Sequence, residues 1–408
     1  MEGLLQGQRR VLRRPGLAGR RLQDGPHPQG PPGDQRAAAA GGGALTLAAS
    51  LPDFPWDRLA PAAARARSHP EGVVDLSVGT PVDPTPALVQ RALAGAADAP
   101  GYPQTWGTPA LRSAVAAWFA RRRGVPGLDP DGVLPTVGSK ELVAWLPTLL
   151  GAGPGDVVVH PEVAYPTYDV GARIARATPL ASDALTAAGP ARVPLVWVNS
   201  PSNPTGRVLP VEHLREVVAW ARERGAVVAS DECYAELVWS GRAPSVLDPE
   251  VCGGSHEGLL AVYSLSKQSN LAGYRAAFVA GDPALVRRLL EVRKHAGMIV
   301  PWPVQAALTA ALGDDEHVQE QRERYRRRRE VLLGALTGAG FRVDHSEAGL
   351  YLWATRDEPC WDTVGWLAER GVLVAPGEFY GAAGARHVRV ALTATDERVG
   401  AVAARLTG

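Results

Sequence analysis

The sequence predicts an α/β fold in which helices cover both faces of a mostly parallel sheet. Four apolar runs with turn signals around them occur along the chain: VVVHP at 157–161, PLVWVNSP at 194–201, AVVASDE at 226–232 and LLAVYSLSK at 259–267. Helical patterns lie between several of them, and in the segment 211–225 the residues Leu214 and Val218 fall on one face. Continuous apolar strands that alternate with amphipathic helices are typical of parallel sheets buried on both faces.

Composition divides the chain into four parts. Residues 1–48 carry three arginine pairs, a proline-rich stretch and the run AAAAGGG, and we predict that this segment is disordered because it holds too little apolar surface to offset its ordering entropy. We expect residues 49–95 to form an N-terminal arm and part of a small domain. Residues 96–305 are expected to form the large domain, and residues 306–408 the C-terminal small domain, where strand-like stretches follow a charged helix.

Charge and cysteine usage narrow the class of protein. A formal net charge of +1 gives no field that would attract nucleic acid or a membrane surface. Cys233, Cys252 and Cys360 are scattered without the spacing of a disulfide framework or a zinc site, which suits a reducing compartment. No apolar run is long enough to span a bilayer. We therefore expect a cytoplasmic protein with no metal, no nucleic-acid partner and no membrane anchor.

The apolar runs end in side chains that carry chemistry. These are Asn203, Asp231, Tyr234, Ser264, Ser266 and Lys267, together with Arg275 eight residues after the lysine and the small-residue turn TVGSKE at 136–141, which opens a helix. In doubly wound α/β folds, ligands bind beyond the carboxyl ends of the strands. We therefore expect these groups to meet at one site.

One ligand accounts for the whole set. A lysine amine can form a Schiff base with an aldehyde, and an acid held against a pyridine nitrogen keeps that nitrogen protonated. A phenol and an amide can hydrogen-bond a ring oxygen, while an arginine, hydroxyls and helix N-terminal N–H groups hold a phosphate. The set predicts pyridoxal 5′-phosphate as the cofactor, with Lys267 at its aldehyde and Ser264, Ser266 and Arg275 at its phosphate.

The motifs NPTG, D-x-x-Y and S-x-S-K occur here in the order found in the class I/II aminotransferases of fold type I, which the sequence resembles over nearly all of residues 51–408. The resemblance implies a large cofactor-binding domain with a mostly parallel seven-stranded sheet between helices, and a smaller α+β domain. It also implies that Lys267 is the Schiff-base lysine and that Asp231 is the partner of the pyridine nitrogen. Tyr234 and Asn203 are then the partners of the ring 3-oxygen.

The same resemblance assigns roles to further residues. The phosphate cup comprises Gly138, Ser139, Lys140, Ser264, Ser266 and Arg275, although Lys140 at a helix start is equally well explained as solvated. Tyr165 takes the position of an aromatic ring that stacks on the cofactor, and Tyr102 that of a tyrosine reaching the phosphate of the neighbouring subunit in a homodimer. Arg389 is the ligand of the substrate α-carboxylate as a bidentate pair. The Gly79 backbone and Asn203 also lie near the substrate.

Longer segments, among them LPDFPWDRL and EAGLYLWATRDEPC, resemble actinobacterial N-succinyldiaminopimelate aminotransferases. This likeness implies ping-pong amino transfer from glutamate to N-succinyl-2-amino-6-ketopimelate, in lysine and diaminopimelate biosynthesis. Another class I/II aminotransferase and a C–S β-lyase remain open as alternatives, because they use the same lysine. A cofactor-binding regulator is disfavoured, since the N-terminal segment is too short and irregular for a winged helix.

Both proposed substrates carry an anionic group besides the α-carboxylate, so a second cationic or hydrogen-bonding group is required. The sequence offers as candidates Arg293, Lys294, His295, Trp106, Trp302 and Gln305. Arg293 and Lys294 either bind this group or cap a solvated helix end, and the residue chemistry does not choose between the two.

Overall fold

The computed structural model describes residues 47–407. Disorder is predicted for residues 1–48, of which residues 1–46 lie outside the described residues. A short 3-10 turn spans Leu47–Ser50. Within the described range, no helix is both long enough and apolar enough to cross a bilayer.

Thirteen strands occur among residues 47–407 and form three sheets. They are β1 (Val74–Asp75), β2 (Val133–Val137), β3 (Val157–His160), β4 (Thr178–Ala181), β5 (Leu195–Asn199), β6 (Val227–Asp231), β7 (Leu259–Ser264), β8 (Ala276–Gly281), β9 (Arg342–Asp344), β10 (Tyr351–Thr355), β11 (Val372–Leu373), β12 (Ala375–Pro376) and β13 (Val388–Ala391).

Twelve α-helices occur in the same range, joined by short 3-10 turns and one π-helical segment, Phe119–Arg123. They are α1 (Ala60–Arg67), α2 (Ala87–Gly95), α3 (Pro109–Trp118), α4 (Ser139–Leu149), α5 (Thr167–Ile174), α6 (Val211–Arg224), α7 (Pro249–Cys252), α8 (Pro283–Ala296), α9 (Trp302–Leu312), α10 (Glu316–Gly338), α11 (Cys360–Glu369) and α12 (Asp396–Thr407).

The central sheet has seven strands in the order β2-β8-β7-β6-β5-β3-β4. β8 runs antiparallel to both of its neighbours, and all other pairs are parallel. This confirms the predicted α/β fold with a mostly parallel seven-stranded sheet. In the register of β5 and β6, Asn199 lies opposite Asp231, so the carboxyl ends of these strands meet at one edge.

Alternation along the strands divides the core between the two faces of this sheet. In β5, Val196 and Val198 point into a core shared with α3, α6 and α9, whereas Leu195 and Trp197 point into a second core shared with α4, α5 and α8. Successive strand side chains face opposite sides, and both sides are apolar because both are covered by helices.

Helix α6 shows why the sequence folds in this way. Leu214, Val217, Val218 and Ala221 are buried on one face, as their spacing predicts, and burying a side chain of this size stabilises the fold by about 1.5–3 kcal/mol. The helix ends at Gly225, whose φ of 64° is left-handed, a conformation that glycine adopts without steric cost.

The C-terminal region forms an α+β layer of its own. A four-stranded antiparallel sheet has the order β12-β13-β10-β9, and a two-stranded parallel sheet joins β1 to β11. Helices α10 and α12 pack against each other, as do α1 and α11, around a separate apolar core. β1 joins the N-terminal part of the described chain to this layer. The boundaries at residues 95 and 305 stay predictions.

Candidate active site

The site lies at the edge of the central sheet where β5, β6 and β7 end. Asp231 is the last residue of β6, and Asn199 is the last residue of β5. Asn199 Nδ2 donates to the Asp231 carbonyl at 2.9 Å, and its Oδ1 accepts from the Asn203 backbone N–H at 2.7 Å. Asn199, which no sequence motif singles out, thereby ties the turn that carries Asn203 to the end of β6.

The Asp231 carboxylate is buried without a cationic partner among residues 47–407. Its Oδ2 accepts from the Tyr168 hydroxyl at 2.9 Å, and its Oδ1 accepts from the Cys233 backbone N–H at 3.2 Å. Burial raises the pKa of Asp231, and hydrogen bonds from the Cys233 thiol, the Cys233 backbone and Tyr168 oppose the rise. A buried carboxylate without a cation is costly, so this group fits the protonated ring nitrogen of pyridoxal 5′-phosphate.

Lys267 lies three residues beyond the end of β7. Its Nζ donates to the Gly79 carbonyl, which places the predicted lysine beside the predicted substrate glycine. Burial lowers the pKa of Lys267, and the nearby Arg389 and Arg275 lower it further against the opposing effect of Tyr351. A lowered pKa increases the fraction of neutral amine, which is the form that attacks an aldehyde or accepts a proton.

The predicted phosphate cup is formed around the start of α4. Gly138 precedes the helix with a φ of 74°, and its backbone N–H donates to the Arg275 carbonyl at 2.9 Å. A Cβ at this glycine would lie 2.0 Å from Arg275 Nη2, so only glycine admits the guanidinium here. Since a helix N-terminus leaves backbone N–H groups without partners, this cradle fits a phosphate.

The two serines of the cup lie close together. The Ser264 hydroxyl donates to Ser266 Oγ at 2.8 Å, and Ser139 opens α4. Lys140, in contrast, is exposed, and its Nζ lies 5.8 Å from the centroid of the Phe54 ring. Its proposed part in the cup therefore stays a prediction.

We expect Gly138→Ala to weaken both the fold and cofactor binding. A β-carbon at positive φ and against Arg275 should cost more than about 1 kcal/mol of unfolding free energy. Displacing the guanidinium should raise the dissociation constant of pyridoxal 5′-phosphate about tenfold or more. Thermal unfolding of the apoprotein and an absorbance titration with the cofactor measure the two effects.

Gly273→Ala is the matched control, because a Cβ at Gly273 meets no atom within 4 Å and the residue has no positive φ. Equal unfolding midpoints and equal cofactor affinities in the two variants would contradict the assignment of Gly138.

Arg389 is a buried cation that has no carboxylate partner among the described residues. Nη1 donates to Asn203 Oδ1 at 3.0 Å and Nη2 to the Ser77 carbonyl at 2.7 Å, whereas the buried Nε has no partner. The guanidinium lies 3.9 Å from the ring centroid of Tyr351. Because Asn203 accepts through Oδ1, its Nδ2 is left to donate to another acceptor. The geometry suits a substrate carboxylate at Arg389.

Two phenols meet at the centre of the site. The hydroxyls of Tyr234 and Tyr351 are 3.2 Å apart. Burial raises the pKa of Tyr234. Burial would also raise the pKa of Tyr351, but Arg389, Lys267 and the hydrogen bond with Tyr234 outweigh it and lower this pKa. A Cβ at Gly79 would lie 2.2 Å from the Tyr351 hydroxyl, so close packing requires glycine at position 79.

The sequence motifs do not identify Tyr351 as a site residue, because nothing in its segment distinguishes it from an aromatic residue of the core. It occupies a buried position of β10, where an aromatic residue is ordinary.

The structure places the remaining two aromatic residues very differently. Tyr165 is partly buried and makes an edge contact with Tyr168, with ring centroids 5.9 Å apart. Burial raises the pKa of Tyr165 to about 12, so its phenol is protonated at neutral pH. Tyr102 is 101% exposed and is not brought to the other site residues.

The candidates for a second substrate anion are partly occupied by structural contacts. Arg293 is fully buried and binds both carboxylate oxygens of Glu141, at 2.8 and 3.0 Å. Gln305 accepts from the Thr108 backbone N–H at 2.9 Å. Lys294 lies on the surface, paired with a glutamate on its own helix. Arg293 therefore does not cap a solvated helix end as the alternative expected, because it is buried against Glu141, and Gln305 is likewise held by contacts within the chain. A role for these residues in binding the second anion stays a prediction.

Comparison with known proteins gives consistent matches. The family model described as aminotransferase class I and II matches residues 71–406. The probable aminotransferase Rv1178 of Mycobacterium tuberculosis is 61% identical over the full length of both chains. The 4-dedimethylamino-4-oxo-anhydrotetracycline transaminase OxyQ of Streptomyces rimosus is 63% identical over 88% of this chain and 99% of its own.

Among solved structures, a probable N-succinyldiaminopimelate aminotransferase from Thermus thermophilus superposes with a TM-score of 0.78. It is 31% identical, and the match covers 87% of this chain and 99% of the other.

Proposed function

Since the chain belongs to the class I and II aminotransferases, a family that depends on pyridoxal 5′-phosphate, we propose that it is an N-succinyl-L,L-diaminopimelate:2-oxoglutarate aminotransferase. In the biosynthetic direction it carries an amino group from glutamate to N-succinyl-2-amino-6-ketopimelate. This reaction belongs to lysine and diaminopimelate biosynthesis.

Separate observations support the reaction class and the substrate. The buried Arg389, with its unpartnered Nε and its place beside Lys267, supports a substrate that carries an α-carboxylate. The substrate itself rests on one observation, the likeness of several long segments to N-succinyldiaminopimelate aminotransferases. The likeness to the probable N-succinyldiaminopimelate aminotransferase of Thermus thermophilus supports it.

When bound, pyridoxal 5′-phosphate supplies an aldehyde for the amino group and a ring that withdraws electrons from the reacting carbon. Asp231 would hold the proton of the ring nitrogen, while Tyr234 and the Nδ2 of Asn203 would donate to the ring oxygen. Gly138, Ser264, Ser266 and Arg275 would hold the phosphate, and Tyr165 would lie against the ring.

The chain's own residues then act on the amino acid. Arg389 binds its α-carboxylate and so orients the Cα–H bond toward Lys267. The neutral Nζ of Lys267 removes the Cα proton as general base and returns a proton as general acid. Burial of Lys267 favours this cycle because it keeps the amine neutral at a lower pH than an exposed lysine. Glutamate and the keto acid use the same residues in turn, as ping-pong kinetics requires.

We also infer a homodimer in which Tyr102 serves the neighbouring site. Tyr102 is fully exposed, and Trp302 and Val292 are exposed apolar side chains at 44% and 46%. Exposed apolar side chains are typical of surfaces that bind another protein. A cytoplasmic location is inferred as well, because the free cysteines Cys233, Cys252 and Cys360 suit a reducing compartment.

A glutamate-coupled assay across a panel of keto acids tests the substrate. We expect N-succinyl-2-amino-6-ketopimelate to give the highest kcat/KM, with equal amounts of 2-oxoglutarate and the succinylated amino acid formed. The unsuccinylated keto acids pyruvate and oxaloacetate are the matched comparison. A preference for either of them, or no turnover of the succinylated substrate, would overturn the proposal.

The high identity to OxyQ favours a second candidate, a transaminase that acts on a polycyclic ketone. Adding such a ketone to the panel of keto acids separates this second candidate from the first.

A C–S β-lyase would instead release ammonia and pyruvate from a sulfur-containing amino acid.

Arg389→Ala is expected to lower kcat/KM for glutamate about 30- to 1,000-fold, since truncating one partner of a buried charge pair costs about 2–4 kcal/mol. Turnover of an amine that lacks an α-carboxylate should change much less. Stopped-flow measurement of the glutamate half-reaction gives the values.

Arg342→Ala provides the control, because Arg342 is an exposed arginine on β9 of the same sheet, paired with Asp344 and Asp357. If Arg389→Ala lowered turnover of glutamate and of the amine by the same factor, Arg389 would not be the ligand of the substrate carboxylate.

A further inference from the structure

We propose that Tyr168 is a positioning residue for the aminotransferase reaction: its hydroxyl holds the Asp231 carboxylate in place and ionised, and thereby keeps the ring nitrogen of the cofactor protonated. The inference rests on the cofactor dependence of the family and not on the proposed substrate. No motif in the sequence marks this tyrosine.

The position of the Tyr168 side chain is tightly defined. It lies in the first turn of α5 and is fully buried. Its ring stacks on Trp197 of β5, with centroids 5.0 Å apart and an interplanar angle of 28°. The hydroxyl then reaches Asp231 Oδ2 at 2.9 Å. Stacking against a strand of the central sheet thus aims one donor at one carboxylate oxygen.

Tyr168 also contacts the other predicted cofactor ligand on this side of the site. Its ring makes an edge contact with Tyr165, the aromatic residue expected to lie against the cofactor ring. One side chain therefore touches both the group expected at the ring nitrogen and the group expected at the ring face.

The hydrogen bond to Asp231 matters because hydrogen-bond donors, and no cation among the described residues, stabilise that charge. Among residues 47–407, Tyr168 is the one side-chain hydroxyl that donates to the Asp231 carboxylate, while the other donors are the backbone N–H and the thiol of Cys233. A donor favours the ionised form of a buried carboxylate over the protonated form. A proton on Asp231 would remove the charge that holds the ring N–H.

The groups around Tyr168 leave it in the donor form. Burial raises the pKa of Tyr168 well above its ordinary value, and the Asp231 charge raises it further, so the phenol keeps its proton. Burial lowers the pKa of His160, whose ring lies 6.4 Å away, and raises that of Cys233. Near neutral pH these neighbours, with Tyr165, are uncharged, and Asp231 is the charge that faces the hydroxyl.

The test measures the ring proton directly in the holoenzyme. Wild type and Tyr168→Phe are loaded with ¹⁵N-labelled pyridoxal 5′-phosphate, and the ¹⁵N NMR shift of the ring nitrogen is followed from about pH 6 to about pH 10. We expect the ring nitrogen of Tyr168→Phe to lose its proton at least about one pH unit lower than that of wild type. No substrate is present, so the result is independent of the proposed substrate.

Kinetics and cofactor binding give two further readouts. Tyr168→Phe should lower kcat for glutamate about tenfold while KM changes less than about twofold, and should raise the cofactor dissociation constant about tenfold. The variant removes one oxygen and keeps the ring stacked on Trp197, so its thermal unfolding midpoint should stay close to that of wild type.

The matched control is Tyr325→Phe, which removes the hydroxyl of another fully buried tyrosine, bonded at 3.5 Å to Asn270. It should leave the ¹⁵N titration, the cofactor affinity and kcat unchanged. An unaltered ¹⁵N titration in Tyr168→Phe would overturn the proposal, even if its activity fell, because a purely structural role predicts that outcome.

Discussion

Lys267→Ala is expected to lower the rate of amino transfer from glutamate by about 10⁴-fold or more, which abolishes turnover in practice. The amine at this position is buried with a lowered pKa, and it lies against the Gly79 backbone beside Arg389. It is therefore placed both to bind the cofactor aldehyde and to exchange the Cα proton. Alanine removes both functions at once, and water replaces the amine poorly as a base at this buried position.

The half-reaction with glutamate, followed by absorbance in a stopped-flow instrument, measures this loss. Lys294→Ala is the control, since Lys294 is an exposed lysine paired with Glu291 on the surface of α8. Normal transamination by Lys267→Ala without any added amine would show that another group does the chemistry.

For Asp231→Ala we expect a loss of activity by orders of magnitude, on the order of 10³-fold, together with weaker cofactor binding. The carboxylate is buried at the end of β6 and pairs with no cation among the described residues, so it is free to bind a protonated ring nitrogen. Without it, the ring nitrogen loses its proton, and the ring then withdraws electrons from the reacting carbon less strongly.

Equilibrium titration with pyridoxal 5′-phosphate and the single-turnover rate with glutamate test the two parts of this prediction. Asp169→Ala serves as the matched variant, because Asp169 follows Tyr168 on α5 but pairs with Arg173 at the surface. A wild-type rate in Asp231→Ala would contradict the claim that Asp231 keeps the ring nitrogen protonated and that this proton is needed for the reaction.

The fold and the set of functional side chains at the strand ends could be predicted because each depends on local sequence. Apolar runs separated by an amphipathic helix define parallel strands, and parallel strands end at a common edge. Once β5, β6 and β7 are recognised, Asp231 and Lys267 must lie close together, whatever the details of the loops.

The hydrogen bonds of the buried tyrosines at the site could not be predicted, because they depend on tertiary packing between distant segments. Tyr168 is 63 residues from Asp231 along the chain, and Tyr351 is 117 residues from Tyr234. Buried tyrosines are common in strands and helices, and neither spacing nor periodicity distinguishes one that donates to a carboxylate from one that fills the core.

Arg293 illustrates the opposite difficulty. A cationic cluster near a helix end suggests a second anion site, but the structure buries this arginine against Glu141 of α4. A buried arginine needs a carboxylate partner, and the sequence does not reveal that the protein itself supplies one.

The predicted role of Tyr102 depends on a contact with a second subunit, and it stays a prediction.

The most direct test of the account is borohydride reduction of the purified holoenzyme, followed by mass spectrometry of its peptides. The account predicts a yellow protein in which reduction leaves a phosphopyridoxyl group on the ε-amine of Lys267 and on no other residue. A colourless protein that takes up no pyridoxal 5′-phosphate, or a phosphopyridoxyl group on a different lysine, would contradict it.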